Sequence, residues 1–185
     1  TVALAYTFFS AKDYAYEIRY VRPKVIIADS SSIRDIRKAI EGSPYPKAIL
    51  VLGKEDSGGK DEFDFHERVD RAGEELEAEQ TTRDDIAEWK FSGGTTGHRK
   101  AIPHRHVDPV WHFQQFDKIV HYRQEDIVLS VPKMFFGYGR TGTIVYPYRV
   151  GASAVLFPER SSVDLIFELI ERHRPTILLQ VPTMI

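Results

Sequence analysis

Apolar positions in this chain come in short runs that alternate with stretches repeating every three or four residues, the pattern of strands interleaved with helices. The opening Thr1 to Tyr6 is strand-like. Ser10 and Asp13 form a capping-box pair ahead of Tyr14, Ile18 and Val21, which share a helical face until Pro23. Val25 to Ala28 is a β-branched run. The serines at 30 to 32 then offer an N-cap for a helix with Ile33, Ile36 and Ile40 on one face, stopped by Gly42, Pro44 and Pro46. Ala48 to Leu52 is a second buried-strand run, Gly53 to Asp61 a polar loop, and Phe65, Val69, Ala72 and Leu76 mark one amphipathic helix. Beyond the polar linker Thr81 to Asp85, Ala87, Trp89 and Phe91 alternate with Glu88 and Lys90 as in a half-buried strand.

The second half repeats the alternation. Lys100 to Pro103 is extended, Asp108 and Pro109 make an N-cap and first-turn pair, and Trp111, Phe116, Ile119 and Val120 carry a helix towards Tyr122. Ile127 to Val131 and Ser153 to Phe157 are strands, and Ser161 with Asp164 caps a helix that runs through His173. Strand and helix in alternation predict an α/β fold, a layered parallel-type sheet with flanking helices.

Composition narrows the partners. At 185 residues, with 42% hydrophobic and 28% charged residues, the chain can bury a core. A net charge of -2 with mixed signs gives no basic footprint, so nucleic acid is not expected as a partner. Cysteine is absent, which excludes thiolate chemistry and suits a cytoplasmic location. No apolar run reaches membrane-span length, and no membrane partner is expected. The histidines at 104, 106, 112 and 121 show no ligand spacing with carboxylates, and His66-Glu67 has Asp70 where a zinc helix needs a second His, so no metal-binding residue is assigned. The strand-like start without Met and the abrupt Val181-Pro182-Thr183-Met184-Ile185 are expected to be cuts through a longer protein.

Two stretches carry chemistry. Phe91-Ser92-Gly93-Gly94-Thr95-Thr96-Gly97-His98-Arg99-Lys100 gathers hydroxyls, three glycines and two cations in one turn. Glycines let backbone N–H groups approach an anion, the Ser92, Thr95 and Thr96 hydroxyls can donate to phosphate oxygens, and Lys100 can neutralise charge. A plain hairpin turn is the alternative. Extended residues on both sides separate it from a Walker loop, which opens directly into a helix. The second stretch, Pro132 to Gly142, has two readings. Gly137, Gly139 and Gly142 spell G-x-G-x-x-G, with Glu159 at the end of the next strand as in a NAD(P)-binding oxidoreductase. Against that, Pro132 and four bulky residues separate the first glycine from the preceding strand.

The loop resembles the phosphate-binding loop of the adenylate-forming superfamily, centred on Ser-Gly-Thr-Thr-Gly and followed by Pro-Lys-Gly. Gly94-Thr95-Thr96-Gly97 and Lys100 match, while Arg99 stands where the family has Pro and Ala101 where it has Gly. Gly93-Gly94, Ile102-Pro103 and His106 are most similar to the branch that activates dihydroxybenzoates. Pro132 to Gly139 is similar to the aromatic stretch of aryl-CoA ligases, with Phe136 at the position overhanging the acyl pocket. The likeness covers Ala87 to Ile185 well and the earlier part loosely.

The resemblance implies a partial N-terminal domain, with residues 1–80 as α/β scaffold and 81–185 carrying the phosphate loop and acyl pocket. Ser92, Gly93, Gly94, Thr95, Thr96, Gly97 and Lys100 would hold the ATP phosphates; Phe135, Phe136, Gly137, Tyr138 and Gly139 would line the acyl pocket. The implied activity is an ATP-dependent carboxylic acid:CoA ligase using ATP, Mg²⁺ and CoA, with a carrier-protein thiol as the other acceptor. The family's catalytic Lys, metal-binding Glu, ribose-binding Asp and C-terminal domain would follow Ile185, so no catalytic residue is assigned here and the fragment alone is expected to be inactive. The rivals are the dinucleotide enzyme and a non-catalytic fragment.

Overall fold

The computed structural model describes residues 1–53, 58–93 and 99–182. The chain divides into two compact units, one formed by Ala5–Thr81 and the other by Thr1–Leu4 with Thr82–Ile185. The first strand, β1 (Val2–Ala3), belongs to the second of these.

Within Ala5–Thr81 the order is α1 (Ala11–Val21), β2 (Val25–Asp29), α2 (Ile33–Ala39), β3 (Ala48–Leu52), β4 (Glu62–Asp64) and α3 (Phe65–Asp70). The β2, β3 and β4 strands form a parallel sheet in that order. Tyr14 and Ile18 of α1, with Ile33 and Ile36 of α2, pack on Ala28, Ile49 and Val51 to make its core. The capping box is present: Ser10 Oγ accepts from Asp13 N and Asp13 Oδ2 accepts from Ser10 N, both at 3.3 Å. Ser32 stands at the start of α2 but does not cap it; its hydroxyl donates instead to Asp29 Oδ1 at 2.7 Å. The helix expected from Phe65 to Leu76 ends at Asp70, and Leu76 is 95% exposed. Gly73 weakens helix there, and Glu74 and Glu77 repel at i,i+3 spacing. Glu62, unassigned by the sequence, is pinned by Arg37 at 2.7 Å and by the N–H groups of Gly58 and Gly59 at 3.2 and 2.9 Å.

The other unit continues with β5 (Ile86–Ser92), β6 (Lys100–Arg105), α4 (Asp108–Val120), β7 (Ile127–Ser130), α5 (Gly137–Arg140), a π-helical turn (Thr141–Val145), α6 (Tyr146–Val150), β8 (Ser153–Val155), α7 (Val163–His173) and β9 (Ile177–Leu179). One sheet has the order β8-β7-β9, all parallel. On one side Ile166 and Leu169 of α7 pack with Leu129 and Val131; a second cluster joins Val128 and Leu179 to Tyr122 and Tyr146. The other sheet, β1-β5-β6, is mixed: β1 and β5 are parallel, β5 and β6 antiparallel. Residues 93–99 are too few for the crossover a parallel pair requires, which takes about a dozen residues.

Three helix details differ from the sequence expectation. Asp108 is not the N-cap of α4. Val107 holds that place, and Asp108 Oδ2 turns back to accept from Arg105 N at 3.1 Å. On α4, Phe113 and Val120 pack into the core and Phe116, itself partly exposed, stacks on Tyr146 at 4.9 Å, while Trp111 and Ile119 are exposed. Ser162 rather than Ser161 caps α7, accepting from Leu165 N at 3.3 Å; Ser161 Oγ donates to Val131 O at 2.9 Å.

Candidate active site

The glycine loop is carried by the β5–β6 hairpin. Its register pairs Ser92 with Lys100, Phe91 with Ala101, Lys90 with Ile102 and Glu88 with His104. Ser92 is half-buried, and Gly93 and Lys100 are exposed at the hairpin mouth. A side chain at Gly93 would meet nothing within 4 Å, so packing does not require glycine there. Gly94, Thr95, Thr96 and Gly97 lie outside the described residues.

Below that mouth the hairpin holds a cluster of charged side chains that the sequence reading missed. Glu88 Oε1 meets Lys90 Nζ at 3.0 Å, and Glu88 Oε2 pairs with the Arg140 guanidinium from α5. Burial pushes the Lys90 amine below its ordinary value, against the pull of Asp108. Alongside, His104 Nδ1 lies 3.4 Å from Asp108 Oδ2, and the His104 and His112 rings are 6.1 Å apart. Burial, reinforced by the Lys90 charge, lowers the His104 pKa, while Asp108 works the other way. Burial by itself would raise Asp108; the Arg105 N–H, the Arg105 guanidinium and His104 bring it below the usual carboxylate range. Two cavities of about 10 Å³ flank the cluster, each with room for about one water. Trp89, Phe135 and Gly137 line the first, and His104, Asp108 and Thr141 the second.

The aromatic segment meets the cluster at Arg140. The Phe135 and Phe136 rings are 4.4 Å apart, but they face different ways: Phe135 and Gly137 line the first cavity, while Phe136 and Tyr138 are exposed. Gly139 is buried, and a Cβ there would fall against the backbone carbonyls of Pro132 and Lys133. Gly137 and Gly139 lie within α5 and Gly142 within the π turn, not in a turn joining strand to helix. The G-x-G-x-x-G spacing therefore comes from helix packing, and the dinucleotide reading is dropped.

The family model described as AMP-binding enzyme matches residues 1–185. The chain belongs to this family. An AMP-binding enzyme to which it is similar is the 4-hydroxybenzoate--CoA/benzoate--CoA ligase of Rhodopseudomonas palustris, 32% identical over 178 residues, covering 96% of this chain and 32% of that protein. A crystallised anthranilate CoA ligase in complex with anthranoyl-AMP superposes with a TM-score of 0.91 at 30% identity, over 97% of this chain and 35% of that one. A benzoate CoA ligase from Burkholderia xenovorans LB400 gives 0.84 at 29% identity, over 98% and 35%. The chain thus spans about a third of the length of these AMP-binding enzymes.

The residues missed in this AMP-binding enzyme left one trace in the sequence. Glu88 and Lys90 alternate with apolar neighbours and so read as a solvent face. Arg140, a cation directly after the Phe135 to Gly139 run of aromatics and glycines, is the signal that a buried carboxylate was needed nearby.

Proposed function

We propose that this chain is the part of an aryl acid:CoA ligase that holds the ATP phosphates and receives the acid, with residues 1–80 as scaffold and 81–185 bearing both subsites. The observation that carries this reading is the hairpin register, which sets Ser92 opposite Lys100 at the mouth of a Gly- and Thr-rich turn. Support for the substrate class comes from the relatives, whose names give benzoate, hydroxybenzoate and anthranilate as their acids.

In the proposed reaction a carboxylate oxygen of the acid attacks the α-phosphorus of ATP. The bond from that phosphorus to the bridging oxygen breaks, and pyrophosphate leaves with its electron pair. The sulfur of CoA, or of a carrier-protein thiol, then attacks the acyl carbon and AMP departs, the thiol proton passing to solvent. Positioning and charge neutralisation carry most of such a displacement. Ser92 and the backbone of Gly93 are proposed to donate to phosphate oxygens, and Lys100 to offset their charge. Mg²⁺ favours phosphate and water oxygens and is proposed to enter with ATP; among the described residues no three His, Asp or Glu side chains gather into a metal site. None of the helices among the described residues is long and apolar enough to cross a membrane. The reaction is proposed to run in the cytoplasm.

Pyrophosphate–ATP exchange in the protein that carries this chain tests the reading. Exchange is expected with benzoate or a hydroxybenzoate and not without acid. Exchange that no aryl acid stimulates, or that acetate stimulates more than every aryl acid, overturns it.

A further inference from the structure

The largely buried Glu88 carboxylate is shared between two cations that belong to different parts of the candidate site. Lys90 lies on the same strand, whereas Arg140 ends the short helix that carries Gly137, Tyr138 and Gly139. All three side chains are at least four-fifths buried. From Glu88 the strand runs unbroken to Ser92 at the loop mouth. Resting on the functional reading above, we infer that Glu88 and Arg140 are a positioning pair that fixes the register of the acid-binding segment against the phosphate-binding strand.

The segment is fastened at both ends, and the two fastenings differ in what they reach. At its start Lys133 Nζ donates to Phe157 O at 2.9 Å and lies 3.4 Å from the centre of the Phe157 ring. This tie leads to the residues that follow β8, away from the phosphate strand. At its end Arg140 reaches Glu88, and the turn that follows is held by Thr141 Oγ1 donating to Gly137 O at 2.6 Å. Gly137 lets the helix start seat on the Lys90 stem: a Cβ there would sit 3.3 Å from Lys90 Cδ. A displacement of β5 is therefore passed to the Phe136 and Tyr138 backbone at two points, the Glu88 carboxylate and the Lys90 stem. Two groups joined in this way bias each other's geometry, and the bias is measurable as a coupling between their ligands. Removing Glu88 strands two buried cations, and removing Arg140 leaves the carboxylate with Lys90 alone and cuts the tie to the segment, so in both cases the segment relaxes away from the strand.

The experiment is a titration of the protein that carries this chain with benzoate, in the presence and absence of Mg²⁺ with α,β-methylene-ATP. The unsubstituted protein is expected to bind benzoate more tightly when the nucleotide is present, by about fivefold or more. Glu88→Gln and Arg140→Met should bring that factor to within about twofold of one while each ligand still binds alone. Arg140→Lys, which keeps the cation, should fall between. Arg37→Met removes a comparable ion pair in the other unit and should leave the coupling unchanged. Where Glu88→Gln or Arg140→Met fails to fold by circular dichroism, Glu88→Asp and Arg140→Lys take the same comparison. Coupling that is absent from the unsubstituted protein, or unchanged in folded variants, overturns the inference and leaves the functional reading standing. Failure of the unsubstituted protein to bind either ligand overturns both.

Discussion

Ser92 on β5 and Lys100 on β6 are direct partners across the hairpin, the last registered pair before the glycine loop. A hydroxyl and an amine are thereby presented at the same rung of a two-stranded frame, and the backbone register rather than side-chain packing fixes their separation.

Lys100 is exposed, so its replacement should leave the fold alone and affect only the phosphates it is proposed to meet. Lys100→Met is expected to lower kcat/KM for ATP about ten- to a hundredfold, equivalent to roughly 1.5–3 kcal/mol for a lost hydrogen bond to a charged group. The unfolding midpoint should not move. Exchange kinetics at varied ATP check this, and an unaltered kcat/KM would separate Lys100 from the phosphates.

Phe136 is 57% exposed and so is available to a ligand without unpacking the core. Ring stacking contributes about 0.5–1.5 kcal/mol beyond area burial, which sets the scale of the effect. Phe136→Ala should reduce kcat/KM for benzoate about two- to tenfold more than for acetate. A substrate panel with equal losses for both acids would contradict that role.

Gly139 and Gly93 should respond in opposite ways to alanine. At Gly139 the new methyl meets the carbonyls of Pro132 and Lys133, backbone atoms that no rotamer change can move aside. Gly139→Ala should therefore cost about 1–3 kcal/mol of stability, as overpacking does. Gly93→Ala has open space and should be within about 0.5 kcal/mol of the parent. Denaturant midpoints for the two variants decide it.

The Glu62 carboxyl gives a pH signature. The Arg37 hydrogen bond leads in holding its pKa at about 2, joined by the Gly59 and Gly58 N–H groups and opposed by burial. A folded pKa below the unfolded one stabilises above the unfolded value, about 4.5, and that stability is lost as pH falls towards 2. With Glu62 3% exposed and Arg37 half in solvent, the effect is about 2–3 kcal/mol. Urea unfolding from pH 6 down to pH 2.5 should show a decline that Glu62→Gln lacks. Parallel curves for the two proteins would refute the assignment.

What the sequence made legible is what short-range chemistry decides. Ser10 and Asp13 bond each other three residues apart, so their box could be read and is present. The runs Val25 to Ala28, Ala48 to Leu52 and Ile127 to Val131 are strands or close to it, because buried β-branched runs have few other uses. Leu76 misled because its spacing fits a helix whose intervening residues do not sustain one. On α4 the apolar positions surround more than one face, and only contact with Tyr146 selects Phe113 and Phe116 over Trp111 and Ile119. In the candidate site, the extended segments that end at Ser92 and begin at Lys100 were legible from the local pattern. Glu88 and Arg140 were not, since across 52 positions a cation beside an apolar run does not say which carboxylate it meets.

The placement of β1 bears on the order in which the molecule is built. Thr1 Oγ1 donates to Ile86 O at 2.9 Å, eighty-five residues away, and Val2 and Ala3 pair with Glu88 and Trp89. Ala5–Thr81 is thus topologically an insertion between β1 and the two strands, β5 and β6, that share its sheet. Contacts of such sequence separation form late, after the closure entropy of the intervening chain has been met. The inserted unit can complete its own core without β1, whereas β5 keeps an open edge until Val2 and Ala3 pair with it. The strand that leads into the glycine loop is therefore shielded last, when Val2 and Ala3 close its edge.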